Sequence, residues 1–128
     1  MQDRPTAVEL LDALEAFMRD RAANARDRWE RFQFQVAANT LGILRREAEL
    51  EEDFIREEWH GLDTLLGEEP VPARCHDLAA RLRQRNEALV QAIKRGDFDG
   101  GEGEEPLLRH LYQTVVNKVR IASPREAP

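Results

Sequence analysis

Thirteen consecutive residues, Phe32–Leu44, carry no formal charge. They lie inside a longer pattern in which Leu41, Leu44, Ala48, Ile55, Trp59, Leu62 and Leu66 stay nearly in heptad phase. That pattern admits only helix, and a helix neutral all round is normally buried on several sides. Read literally it is one helix of almost 40 residues, roughly 57 Å long at 1.5 Å per residue. Its neighbours are about half that length by the same rise. The expectation is therefore a kink or split near Glu49–Asp53, giving helices over about 28–49 and 52–66, although no Pro or Gly stands there.

Composition agrees. Sixteen Ala and 15 Leu stand against 7 Val, 4 Ile and 4 Thr, a balance that favours helix over pleated sheet. A first helix over about 6–23 opens on a capping box, Thr6 with Glu9 three residues on, and carries Leu10, Leu11, Leu14, Phe17 and Met18 at helical spacing. Asp27 with Glu30 offers a second box. Gly67 closes the long segment and Glu68–Pro72 is a loop. A third helix over about 73–95 carries Cys75, Leu78, Leu82, Asn86, Leu89 and Ile93 on one stripe, and Gly96 is its stop. Asp97–Glu105, rich in Gly and acid, reads as a mobile loop. Pro106 at a first helical position opens the last helix, about 106–122, with Leu108, Leu111, Val115 and Val119 as its stripe. Residues 123–128 read as a disordered tail. The expectation is a single all-α domain over 1–128, an up-and-down bundle of four long helices with the second kinked or split.

Several chemistries fail on spacing. A chain of 128 residues with one cysteine has no disulfide framework and no Cys-based zinc site. Glu57 and His60 form one Glu-x-x-His pair, but neither His76 nor His110 has a Glu three residues before it, so a di-iron bundle is not expected and no metal or cofactor is assigned. Asp97-Phe98-Asp99-Gly100-Gly101 departs from a calcium loop, with Gly101 at loop position 5 and Leu108 at position 12. Cys75 and His76 are adjacent and diverge on a helix, so Cys75 reads as a small buried packing residue. Ser123, the only serine, lies at the last helix's end. No catalytic constellation results. No apolar run is long enough to cross a membrane, Asp3, Arg4, Glu9 and Asp12 do not read as a secretory signal, and a net charge of −6 argues against nucleic acid as partner. A cytoplasmic protein is expected.

Three features suggest contacts. The acidic stretch Glu47–Glu58 faces a basic third helix with Arg74, Arg81, Arg83 and Arg85; Arg81 and Arg85 share a face. The charges either pair between neighbouring helices or leave Arg81 and Arg85 as a docking face for a protein partner. Asn39 sits in the uncharged run, Asn86 on an apolar stripe, and His110, Thr114 and Asn117 follow one face of the last helix. These polar groups fix helix register, line a pocket between helices (Asn39, Asn86, Asn117), or face solvent. Trp29, Phe32 and Phe34 crowd one turn and suit self-association into a homodimer.

The string Gln2-Asp3-Arg4-Pro5-Thr6-Ala7-Val8-Glu9-Leu10-Leu11 resembles the opening of an uncharacterised bacterial family of small helical proteins. So do Val36–Leu41, Asn86–Asp99, Thr114–Val119 and the Ser123-Pro124 ending. Residues 50–75 carry more charge than that pattern. The resemblance implies a domain of unknown function whose genes often lie beside phosphotransferases of the aminoglycoside/choline-kinase type and acyl-CoA dehydrogenases. It therefore implies a non-catalytic accessory role in such a system, with a kinase-like phosphotransferase as the partner. Asp3 and Arg4 would either clamp the N-terminus onto the bundle or act as a docking tag. The alternative is a small-ligand-binding bundle with a polar pocket.

Overall fold

The described residues form an all-α helical bundle of four helices: α1 (Ala7–Ala23), α2 (Arg28–Leu66), α3 (Cys75–Lys94) and α4 (Glu104–Ala122). The structure, a computed structural model, describes residues 4–128 except the Cys75 side chain. The expectations for Gln2, for Asp3 and for burial of Cys75 lie outside the described residues. No described helix is long and apolar enough to cross a membrane.

The expected split of the second helix into two is absent: α2 is one helix of 39 residues. Nothing at Glu49–Asp53 opposes the helix, and pairs four residues apart bracket the stretch, Arg45 to Glu49 at 3.1 Å and Arg56 to Glu52 at 2.8 Å. The change of partner happens without a break. Within what the sequence reads as one domain, the chain forms two compact units, one of residues up to Glu51 with Ile121–Ser123, the other of Glu52–Arg120 with Pro124–Pro128. Each half of α2 belongs to a different unit.

In the first unit α1 packs on the first half of α2. Thr6 Oγ1 accepts from Glu9 N–H at 3.2 Å, and the Glu9 carboxylate accepts from Thr6 N–H at 2.7 Å, the capping box read from sequence. Arg4 stays exposed, 3.9 Å from Glu9. The residues α1 buries are Ala22 and Glu15. Glu15 accepts from Arg19 at 2.7 Å and Arg45 at 3.2 Å. The Arg19 hydrogen bond holds its carboxyl below the usual range against burial, with Arg45 adding. On α2, Ala38 is buried and Gly42 lets the helices approach, since a Cβ there would press on Glu15 Oε1 at 3.0 Å. Arg46 Nε donates to the Ile121 carbonyl at 2.6 Å. The uncharged run is not buried on several sides as expected. Phe32, Val36 and Leu44 are exposed, as are Leu10, Leu14 and Phe17 of the α1 stripe. Two helices and the end of a third cannot enclose every face of a neutral helix.

In the second unit Trp59, Leu62, Leu78, Leu82, Leu89 and Leu107 form the core, flanked by Ile55, Leu65, Val71 and Phe98. Arg85 organises its edge and is 2% exposed. Its Nη1 donates to Asp63 Oδ1 at 2.7 Å, its Nη2 to the Gly67 carbonyl at 2.7 Å, and its guanidinium lies 4.5 Å from the Trp59 ring centroid. Trp59 Nε1 donates to the Glu69 carbonyl at 3.2 Å, and Glu69 N–H to Asp63 Oδ1 at 3.2 Å. Burial raises the Asp63 carboxyl, but Arg85 and the Glu69 N–H more than offset it and hold it low. α2 has no basic residue in its last turn, so α3 supplies the cation that its C-terminal end favours. Gly67, at φ +99°, makes the exit turn.

Four local features stand out. In the 97–105 loop Phe98 packs against the core and Arg95 pairs with Asp97 at 2.7 Å. Pro106 is the third residue of α4, where its missing N–H costs nothing because the first turn has no helical acceptors. Pro124–Glu126 form a turn. Most of the α4 stripe faces outward: Leu108 is 59%, Leu111 39% and Val115 57% exposed with Val119 half-buried, while Leu107, His110, Val116 and Asn117 are buried.

Removing the Arg85 side chain strands Asp63 and the Gly67 carbonyl. In urea unfolding, Arg85→Ala should lose about 3–5 kcal/mol, as for a broken buried ion pair, whereas Arg81→Ala should lose under about 1 kcal/mol.

Candidate functional site

A cavity of about 340 Å³ lies between α2 and α4 in the second unit. Glu57, Gly61 and Thr64 recur at helical spacing on its α2 wall, beside Glu58. Pro106, His110, Gln113, Thr114 and Asn117 recur likewise on its α4 wall, with Arg109. The helices run antiparallel here: Asn117 meets Glu57, and His110 meets Gly61.

Gly61 is the opening for the imidazole. A Cβ at that position would collide with His110 Nδ1. Glycine inside a helix costs up to about 1 kcal/mol relative to alanine, so its presence here is explained by the ring it admits. His110 is 8% exposed, and among the described residues neither of its ring nitrogens has a hydrogen-bond partner. Burial lowers its pKa, Glu58 opposes that shift and Lys118 adds to it, which favours the neutral ring.

The carboxylates are held by amides rather than by cations. Asn117 Nδ2 donates to Glu57 Oε2 at 2.6 Å, and Gln113 Nε2 donates to Asn117 Oδ1 at 3.1 Å. Asn86 Nδ2, from α3, donates to Glu58 Oε1 at 2.7 Å. Arg109, the cation of the lining, pairs with Glu105 at 2.6 Å. The site is thus anionic, with a neutral imidazole at its floor. Among the described residues no three metal-ligating side chains converge.

A family model matches residues 24–126. The chain is a member of DUF6285, a domain of unknown function. The DUF6285 match spans α2, α3 and α4, so it contains both walls of the cavity, while the opening motif and α1 precede it. No curated protein and no solved structure matches the chain.

The residues singled out from sequence scatter in this DUF6285 chain. Asn117 lines the cavity, and Asn86 borders it through Glu58. Asn39 does not belong with them: it is exposed on α2 in the first unit. Asn86 and Asn117 bond carboxylates, not each other. Arg85 is no docking residue either, because its guanidinium is spent inside the fold on Asp63, Gly67 and Trp59. Arg81 is exposed but paired to Glu69 at 2.9 Å. Neither arginine pairs with the Glu47–Glu58 stretch. Trp29 and Phe32 are exposed and stacked with centroids 6.0 Å apart, whereas Phe34 is half-buried beneath Arg21. Sequence reasoning missed Glu57, Glu58, Gly61 and a buried His110 as one site; the glycine four residues after Glu57 was the available signal.

Two outcomes follow. Gly61→Ala should destabilise by about 1–3 kcal/mol through overpacking, and His110→Ala in the same chain should recover most of that loss in a double-mutant cycle. An unfolded chain with an ordinary imidazole binds a proton before the folded one as pH falls. Wild-type stability should therefore drop through the ordinary histidine range, near pH 6.5, more steeply than that of His110→Gln in parallel urea titrations.

Proposed function

We propose that this DUF6285 chain is a non-catalytic accessory module that binds another protein through the outer face of α4. The observation that carries the reading is the inversion of that helix. Leu108, Leu111, Tyr112 and Val115 stand exposed at helical spacing, directly opposite the buried His110 and Asn117. Exposed apolar side chains in a continuous stripe mark contact surfaces, and tyrosine is enriched at the centre of such contacts. The stripe replaces Arg81 and Arg85 as the docking face. The family resemblance points to a kinase-like phosphotransferase as the partner, and a cytoplasmic setting goes with it. Homodimerisation through Trp29 and Phe32 is the companion proposal, which sedimentation of the chain alone distinguishes from a complex with a different protein.

A second reading is favoured by the α2–α4 cavity, whose volume lies within the roughly 300–1,000 Å³ typical of small-molecule sites. It makes the second unit a ligand-binding bundle with Asn117 in its lining and Asn86 at its edge.

For the interaction reading, calorimetry with an aminoglycoside/choline-kinase-type phosphotransferase from the same genome should give a complex at micromolar concentration. Leu108→Glu with Val115→Glu should weaken it about tenfold or more, and Arg81→Glu should leave it unchanged. Absence of a complex, or one indifferent to the α4 changes, overturns the reading.

A further inference from the structure

We infer that the outer face of the first half of α2 is covered by the same face of a second copy, the two helices running antiparallel about the middle of the uncharged run. The inference rests on the companion homodimer proposal and deepens it, adding the face, the direction and what fixes them.

The first unit lacks a core of its own. Among the described residues its buried apolar side chains are Ala22 and Ala38, too small to hold two helices together by burial. Its large apolar side chains lie outside. Trp29, Phe32, Val36 and Leu44 stand exposed on the side of α2 turned away from the buried Ala38 and Gly42, with the neutral Gln33 and Asn39 among them. Charged residues make up 34% of the chain, so a run of 13 at that rate carries about four. Phe32–Leu44 carries none, although seven of its residues are exposed. A solvated helix face is normally charged and polar, and this one has the character of a contact face.

Two features select a second copy as the occupant. The first is charge. Arg28 and Arg31 precede the run and Glu47 and Glu51 follow it, all exposed. Arg26 is taken by Glu30, and Arg45 by Glu15 and Glu49, so these four have no salt-bridge partner among the described residues. Antiparallel pairing sets the basic end of each copy against the acidic end of the other, twice by symmetry. Parallel pairing sets like charge on like. The second feature is area. The exposed parts of Trp29 (67%), Phe32 (55%), Val36 and Leu44, with the neutral polar residues beside them, come to roughly 600 Å² on one copy. A symmetric pair then removes about 1,200 Å² from water, the lower end of what a stable interface needs. Asn39 lies inside this seam, three residues from Val36, where an amide fixes register at a cost in stability.

Sedimentation of the full chain should show a concentration-dependent dimer in the micromolar range. Val36→Glu sets two like charges in the middle of the seam and should weaken the dimer about tenfold or more, with unchanged circular dichroism because Val36 is exposed. Leu108→Glu with Val115→Glu on α4 should leave it unchanged. Direction is read by cross-linking in a Cys75→Ser background, which removes the chain's one native thiol. Gln33→Cys and Leu44→Cys chains, whose positions lie roughly 16 Å apart along one helix, are mixed with a short bismaleimide. The mixed cross-link should exceed either like-to-like one about fivefold, because antiparallel pairing brings the unlike positions together. Like-to-like cross-links in excess overturn the antiparallel seam and leave the companion dimer standing. A dimer indifferent to Val36→Glu, or a monomer at every concentration, overturns both.

Discussion

A single guanidinium, that of Arg85, ties together the end of α2, the α2–α3 loop and the core of the second unit. It satisfies Asp63 and the Gly67 carbonyl, and its face covers the Trp59 indole, which itself bonds the Glu69 carbonyl. An arginine can do this because its planar group offers donors at its edge and a weakly hydrated face. Lysine could supply the charge but not the fork and the stack together. Its Nε is buried without a hydrogen-bond partner, with Glu69 Oε1 at 3.8 Å, so the arrangement is near saturation rather than complete. Farther along the chain, α4 runs back antiparallel along α2.

That return creates the α2–α4 cavity and orients α4. Gly61 admits the His110 ring, Asn117 reaches Glu57, and the polar side of α4 turns inward. Because the helix has two opposite sides, the apolar stripe Leu108, Leu111, Tyr112 and Val115 turns outward. One packing choice thus yields both functional proposals, the polar cavity and the apolar docking stripe. In the first unit the same inversion recurs in miniature: Glu15 is buried against Arg19 and Arg45 while Leu10, Leu14 and Phe17 stand exposed.

Much of the framework was legible residue by residue. Thr6 and Glu9 announce the α1 start, Gly67 and Gly96 adopt the positive φ values of helix exits, and Leu78, Leu82 and Leu89 form the core as their spacing predicts. α2 is not split, because short partners do not demand short helices when two units share one long helix. The candidate site was barely legible. Asn117 and Asn86 mark its surroundings, but pairing them with Glu57 and Glu58 needs the spatial neighbour of each helix face.

Sequence alone determined the local content of this chain: helix propensity, caps, exit glycines and the apolar period are set within a few turns of backbone. Which face of each helix looks inward was left to tertiary structure. α4 carries two coherent stripes, one of Leu and Val and one of His, Thr and Asn, and apolar burial by itself favours the first. The second turns inward, flanked by the buried Leu107 and Val116, because Gly61 opens space for an imidazole and Glu57 meets the buried amide of Asn117. Those compensations come from residues about 50–60 positions away in the chain, and only the packed helices bring them within hydrogen-bond reach.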